Sequence, residues 1–353
     1  MKKLALVVIV VLLVAGMATF TLYSRANEPY RGYSGDAREL EIPAGEGTKA
    51  IGQRLVEAGI VRDVITFRVA LWLTGDARRL KAGEYLFDRP MTARDVIGKI
   101  ARGEVDLVNV TFREGLTIAE MAGIFQAQGF GSALSFRDAA GAPALVADLD
   151  PLARDLEGYL FPETYAVSRR ETAPQMVHAM VDRFKHVLTP ALREAAAARG
   201  LTVRQFVTLA SIVEKETASA DERSMVAAVY TNRLRIGMGL QCDPTVIYAL
   251  QKAGRFDGNL RRDDLLFDSP YNTYRYRGLP PGPIAAPGRS SLEAAAHPAD
   301  QDYLYFVSRN DGTHAFARTL DEHNRNVQEF QVQYFRDKRL AAQRRESAPA
   351  LGR

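Results

Sequence analysis

Two glutamates, Glu214 and Glu216, close the strongly apolar stretch Leu209-Ala210-Ser211-Ile212-Val213-Glu214-Lys215-Glu216-Thr217, just before a polar break. With residues set at about 100° intervals from Thr202 to Thr217, Arg204, Thr208, Ser211 and Lys215 form one polar stripe, and the rest of the circumference is mostly apolar. Both glutamates fall outside that stripe. Glu216 projects near Leu209, Ile212 and Val213, and Glu214 near Val203, Val207 and Ala210. A carboxyl held against apolar surface loses solvation of its charged form, so its pKa rises and it can act as a general acid near neutral pH. The plainer reading is that one or both end a helix and turn to solvent or to an arginine, since structural ion pairs mimic active sites. Periodicity does not choose between the two residues.

Other chemistries find no support. The single cysteine, Cys242, permits neither an intramolecular disulfide nor a multi-cysteine metal site. Five histidines lie scattered without metal-ligand spacing, and no H-E-x-x-H is present, so no metal is expected. G-x-S-x-G, G-x-G-x-x-G and P-loop patterns are absent, and no cofactor is expected. A general acid needs a cleft lined by polar and aromatic groups. The chain after Glu216 offers Asn232, Gln241, Asp243, Tyr271, Asn272, Thr273 and Tyr274. Tyrosine faces stack on sugar rings, while Asn and Gln side chains bond hydroxyl and acetamido groups. A carbohydrate-cleaving site is therefore the best chemical fit. Asp243 has a competing duty as the N-cap ahead of Pro244. His297 reads as a helix-end residue and His314 as a strand residue.

The elements that must position these groups begin at the N-terminus. Residues 4–23 form an uncharged run of the length a helix needs to cross a bilayer. Lys2 and Lys3 place the N-terminus in the cytoplasm and the rest outside. A cleaved signal peptide is the rival, with Ser24-Arg25-Ala26 near a possible cut, but the run exceeds the ~7–15 residues of a signal h-region. A retained anchor over 4–24 is expected, after a cytoplasmic tail over 1–3 and before a linker over 25–37. The net charge of +4 sits largely at the two ends and marks no nucleic-acid-binding face.

Residues 38–105 read as small β/α units, with helices after Thr48 and Thr92 stopped at Gly59 and Gly103; a third copy runs from Val110 to Gly129. Trp72, in an apolar helix with Ile65, Val69 and Leu73, is expected in the core. The Ala- and Asp-rich stretch over 131–156 looks like an insertion. Helices follow over 173–188, 190–199 and 221–236, and residues 268–288 form a long loop dense in Pro, Gly, Tyr and Asn, of the kind that carries function. Ser290-Ser291-Leu292-Glu293 reads as a capping box, and a hairpin joins residues 303–308 to 314–318 through Asn310-Asp311-Gly312. Residues 321–345 form a charged helix, and 346–353 a disordered tail.

Several blocks, in order, resemble the endolytic murein transglycosylase family, also called YceG-like. They are Leu209–Thr217, Asn232-Arg233-Leu234, Gln241–Tyr248, Pro270-Tyr271-Asn272-Thr273-Tyr274, Gly278–Ile284, Ala294–Pro298 and Tyr303–Val307. One departure is Cys242, where threonine is expected. The resemblance implies an α+β chain: an N-terminal transmembrane helix, a small LysM-like β/α module over 38–105 and a mixed α+β catalytic domain over 106–345. It implies an inner-membrane enzyme, facing the periplasm, that cuts glycan strands internally at the β-1,4 bond from N-acetylmuramic acid to N-acetylglucosamine and leaves a 1,6-anhydro ring. The family's catalytic glutamate falls on Glu216. Glu214, Asn232, Gln241, Asp243, Tyr271, Asn272 and Tyr274 are then supporting or substrate-binding candidates. The partners implied are peptidoglycan glycan strands, the inner membrane through residues 4–24 and cell-wall synthases. A catalytically silent, membrane-anchored glycan-binding scaffold for those synthases is the alternative.

Overall fold

A computed structural model describes residues 2–347, so Met1 of the expected cytoplasmic tail and residues 348–353 of the expected disordered tail lie outside the described residues. The secondary structure is mixed α and β, and the chain divides into two compact units, Met1–Asn109 with Tyr165–Arg170, and Val110–Thr164 with Glu171–Arg353.

The first unit opens with α1 (Lys2–Asn27), whose span Leu6–Asn27 is long and apolar enough to cross a bilayer. Its residues from Leu6 to Thr21 are exposed, and only its last turns meet the rest of the unit, with Ala26 fully buried. Then come β1 (Arg38–Ile42), α2 (Thr48–Glu57), α3 (Val64–Thr74), β2 (Gly83–Phe87) and α4 (Ala93–Arg102). β1 and β2 pair antiparallel, Arg38 opposite Phe87 and Ile42 opposite Gly83. The apolar positions Val96, Ile97 and Ile100 of α4 recur at helical spacing and join Ile42, Ile51, Leu55, Phe67, Tyr85 and Phe87 in one core. Caps set the limits of α4: Thr92 accepts the Asp95 N–H, and Gly103 ends the helix in the left-handed region at φ +73°. Trp72 departs from expectation. It is 81% exposed, because α3 turns Phe67, Ala70 and Leu71 inward and leaves Trp72 on its outer side.

β3 (Leu107–Thr111) and β4 (Thr164–Ser168) form a second two-stranded sheet, and the chain passes from one unit to the other within these strands. The returning segment is tied by charge. Arg170 pairs with Glu41 and with Glu84 (Nε–Oε1 2.6 Å), and Arg169 with Asp106 (3.1 Å).

The second unit holds α5 (Ile118–Ala127), α6 (Ala133–Ala140), α7 (Ala173–Val187), α8 (Pro190–Ala198), α9 (Val203–Glu216), α10 (Arg223–Arg235), α11 (Asp243–Lys252) and α12 (Arg289–Ala296). An antiparallel hairpin of β5 (Tyr305–Ser308) and β6 (His314–Ala317) follows, then α13 (Leu320–Val327), a π-helical stretch over Gln328–Gln333 and α14 (Tyr334–Ser347). The centre is α9. Every residue from Phe206 to Val213 is buried, and α8, α10, α11 and α12 pack around it.

Two expectations change here, and the polar stripe of α9 is split: Thr208 and Ser211 are fully buried, while Lys215 is exposed. Thr208 donates to the Arg204 carbonyl (2.7 Å), and Ser211 accepts the Ile284 N–H (3.1 Å), so this stripe holds the long loop over 268–288. The stretch over 131–156 is no appended insertion. Phe136, Val146 and Leu156 are fully buried in it, and Asp150 there binds Arg204 (2.8 Å) and accepts from Tyr159 (2.7 Å). Last, α12 starts at Arg289 with Gly288 as its cap and no side-chain cap bond, so Ser290 builds no capping box; its hydroxyl instead accepts from Arg223 (2.5 Å).

Candidate active site

The end of α9 depends on both of its caps. Thr202 and Gln205 form a reciprocal capping box that satisfies orphan N–H groups at the start. Glu216 is the last helical residue, and the buried Thr217 ends the helix in extended conformation (φ −138°, ψ 133°). The chain returns as α10, bringing Tyr230 to Glu216. The Tyr230 hydroxyl donates to Glu216 Oε1 at 2.5 Å, and the Tyr230 ring meets Phe306 of β5 edge-on (centroids 6.0 Å). The Cys242 thiol is a second hydrogen-bond partner of the same carboxyl.

Glu216 is half-buried. Burial, the largest influence, raises its pKa, and the nearby charge of Asp243 adds to the rise. The bonds from Cys242 and Tyr230 and the proximity of His314 oppose it without reversing it. Burial likewise pushes the Tyr230 phenol and the Cys242 thiol well up, so both stay protonated as donors. Among the described residues no arginine or lysine pairs with Glu216 and no backbone N–H reaches it. Burial favours the protonated form of this carboxyl, and part of it remains open to a partner.

Glu214, two residues earlier, has the opposite surroundings. Its carboxylate pairs with Arg223 (3.2 Å) and accepts the Gly288 N–H (3.0 Å), while Glu114 approaches the same arginine at 3.6 Å. It clamps the end of α9 to α10 and to the start of α12. The arginine expected for one of the two glutamates is here.

The other candidates divide. Asp243 does not cap α11. It is that helix's first residue, with Cys242 in the cap position, one residue from the expectation based on Pro244. Its exposed carboxylate accepts from the Tyr274 hydroxyl at 2.6 Å. Gln241, exposed beside Cys242, has φ +51°, a left-handed conformation uncommon for a residue with a side chain and often found at functional sites. Thr273 pins this corner, accepting the Cys242 N–H (3.0 Å) and lying 2.9 Å from the Thr245 hydroxyl. Glu216, Asp243 and Tyr274 thus come together with Tyr230 and Cys242, and Gln241 precedes Cys242 in the chain.

Asn232 and Asn272 hold the frame. The Asn232 amide donates to the carbonyls of Gln301 (2.8 Å) and Tyr303 (3.0 Å). Asn272, fully buried, donates to Leu265 and Phe267 (2.9 and 2.8 Å) and accepts the Tyr274 N–H (3.0 Å). Tyr271 packs on Tyr248 (5.0 Å), with Lys252 over both rings, among Tyr159, Arg204 and Pro283. Its neighbourhood is therefore different from that of Glu216.

The sequence does not single out Tyr230 or Cys242 as site residues. The available signal was chemical: a tyrosine on a buried helix face requires a partner for its hydroxyl. Arg233 and His314 were also undervalued. Arg233 is buried, donates to the carbonyls of Leu304 (2.7 Å) and Leu240 (2.6 Å), and lies under the Tyr305 ring. His314 is gripped through its ring Nδ1 and its N–H by Glu222 (2.7 and 2.8 Å).

Comparison with known proteins identifies the family. The chain is 31% identical over 328 residues to the endolytic murein transglycosylase of Bacillus subtilis, covering 86% of this chain and 87% of that one. It is 32% identical over 323 residues to the endolytic murein transglycosylase of Streptococcus pneumoniae D39, covering 82% of this chain but only 57% of that longer protein. The crystal structure of a YceG-like protein from Listeria monocytogenes superposes with a TM-score of 0.56 at 32% identity, covering 83% of this chain and 99% of that one. The YceG-like family model matches residues 40–329, and the chain belongs to that family.

Proposed function

We propose that this chain is a murein lytic transglycosylase that cuts peptidoglycan strands internally, with Glu216 as its acid. The observation that carries the reading is the half-open Glu216 carboxyl, whose pKa is raised by burial and which, among the described residues, accepts from the Tyr230 phenol and pairs with no cation. The relatives named endolytic murein transglycosylases support it.

Glu216 gives its proton to the glycosidic oxygen as the bond from C1 of N-acetylmuramic acid to O4 of N-acetylglucosamine breaks. Positive charge develops at C1 in an oxocarbenium-like state. The C6 hydroxyl of the same muramic acid then bonds to C1, and its proton returns to the Glu216 carboxylate. The products are a free 4-hydroxyl and a 1,6-anhydro end. Because the attacking oxygen belongs to the sugar, neither water nor a carboxylate nucleophile is needed. Tyr230 steadies the carboxylate between the two transfers, while Gln241, Asp243 and Tyr274 offer polar contacts to sugar hydroxyl and acetamido groups. New ends of this kind would terminate growing strands.

In the same reading α1 is a retained single-pass inner-membrane anchor with the N-terminus in the cytoplasm, residues 38–105 are a LysM-like glycan-binding module, and residues 106–345 act in the periplasm beside cell-wall synthases. The full chain incubated with murein should yield anhydro-ended muropeptides by mass spectrometry, and Glu216→Gln should strongly reduce them. Murein binding without such products from the unaltered chain would sink the enzyme reading in favour of a silent scaffold.

A further inference from the structure

The helix α3 buries Phe67, Ala70 and Leu71 but leaves Ile65 61% and Trp72 81% exposed. Seven residues apart, these two lie on one side of the helix, with exposed Arg68 between them. A single exposed tryptophan needs no explanation. A stripe of Ile, Arg and Trp on one short helix does, given which element that helix supports. The end of α1 packs against α3, with Ala26 fully buried in the same core as Phe67 and Leu71. Arg25 of α1 lies within electrostatic reach of Asp63, the residue whose carboxylate caps α3.

Distance then decides where α3 sits. The uncharged run of α1 ends at Tyr23, three residues before Ala26, which at a rise of about 1.5 Å per residue is only ~5 Å along the helix. The polar headgroup layer on each side of the hydrocarbon core is about 5–8 Å thick. If α1 crosses the bilayer, the helix seated on Ala26 lies at headgroup level. Tryptophan rings concentrate at that depth, and guanidinium groups bind lipid phosphates there.

We propose that the outward stripe of α3, formed by Ile65, Arg68 and Trp72, docks onto the surface of the anionic phospholipid bilayer that α1 crosses. This rests on the reading of α1 as a membrane-spanning anchor. The contact would hold the first unit against the membrane through two elements and restrict its rotation about α1.

Trp72 is the only tryptophan in the chain, so it reports on its own surroundings. The full chain is reconstituted into vesicles of phosphatidylcholine, with or without phosphatidylglycerol, carrying bromine atoms near the headgroup end of the acyl chains. Trp72 emission should be blue-shifted relative to tryptophan amide in buffer and quenched by the brominated lipid, more strongly with phosphatidylglycerol. The double substitution Ile65→Glu and Arg68→Glu, on exposed positions, should remove most of that quenching while the protein still floats with the vesicles. Water-like emission, quenched by iodide and unaffected by brominated lipid, overturns the proposal. Emission indifferent to lipid but shifted by added murein glycan also overturns it, and assigns the face to sugar. A chain that fails to float with vesicles overturns the anchor reading itself, and this proposal with it.

Discussion

The second unit holds two glutamates that each accept from a tyrosine, and the two corners contrast. At one, Glu157 accepts the Ile118 N–H at the start of α5 (3.1 Å) and the Tyr248 hydroxyl (3.2 Å). Burial, with the nearby charge of Asp155, pushes its pKa up to about 8. It borders a cavity of about 550 Å³ with Glu120, Arg137, Gln251 and Lys252. At the other corner, Glu216 is also raised by burial and also bound by a tyrosine. The difference is in obligation. Glu157 is almost wholly buried and satisfies a helix start, so moving its proton disturbs a structural bond. Glu216 serves no backbone group among the described residues and stays partly open. A raised pKa beside a large cavity is therefore insufficient to mark an acid catalyst; freedom to exchange the proton with a ligand is also required.

The largest effect expected from this contrast is on rate. Glu216→Gln should lower formation of anhydro-muropeptides by about 10³-fold, within the span attributed to general acids, and should not lower the melting temperature. Glu157→Gln, which mimics the protonated form, should leave the rate near that of the unaltered chain. Equal loss of product in both would break the distinction.

The next effect is on stability and tests Glu214. Glu214→Ala leaves the nearly buried Arg223 with the Ser290 hydroxyl and, as its charge partner, the more exposed Glu114 at 3.6 Å, and should destabilise the second unit by roughly 3 kcal/mol in denaturant unfolding. A variant as stable as the parent but inactive would return Glu214 to the chemistry.

A third test uses pH. The folded state holds the Glu157 proton that the unfolded chain releases above the ordinary value of 4.5. Stability from this group is thus fully present below about pH 4.5 and is lost as pH rises through about 8. Glu157→Gln should flatten that decline, by an amount on the order of a few kcal/mol, in melts compared at pH 5 and pH 9.

The smallest effect concerns tuning. Since Glu216 must be protonated to act, the alkaline limb of kcat/KM reports its pKa and should lie above the ordinary carboxylate range. Asp243→Asn removes a charge that raises this pKa, so the limb should move to lower pH. Tyr230→Phe removes a bond that stabilises the carboxylate, so the limb should move the other way. Shifts of the same sign in both would contradict the assigned influences.

What was legible in the sequence follows from where each cause lies. The 3.6-residue pattern from Thr202 onward revealed α9 and its two terminal acids, because helix periodicity is local. Which acid is structural was not legible. That depends on Arg223 and on the Gly288 N–H, 9 and 74 residues from Glu214, which meet it only in the fold. The choice of Glu216 rested on ordered resemblance, not on geometry. Trp72 was misjudged because apolar residues at helical spacing mark burial without saying against what. The 131–156 stretch was misjudged because alanine and aspartate dominate its composition, while Phe136, Val146 and Leu156 provide its anchoring. Asp243 was displaced by one position, within the ordinary scatter of helix starts.

The discontinuous make-up of the first unit bears on how the chain assembles as it is made. Glu41, Glu84 and Asp106 take their arginine partners from Arg169 and Arg170, which follow 55 residues of the second unit, Val110–Thr164. During synthesis these acids wait, unmatched, while the early part of the second unit emerges. The first unit therefore gains β4 and these surface ion pairs only after that part of the second unit has been made. A chain halted before Thr164 would expose the unpaired edge of β3 and three uncompensated carboxylates, a species suited to capture by chaperones or proteases.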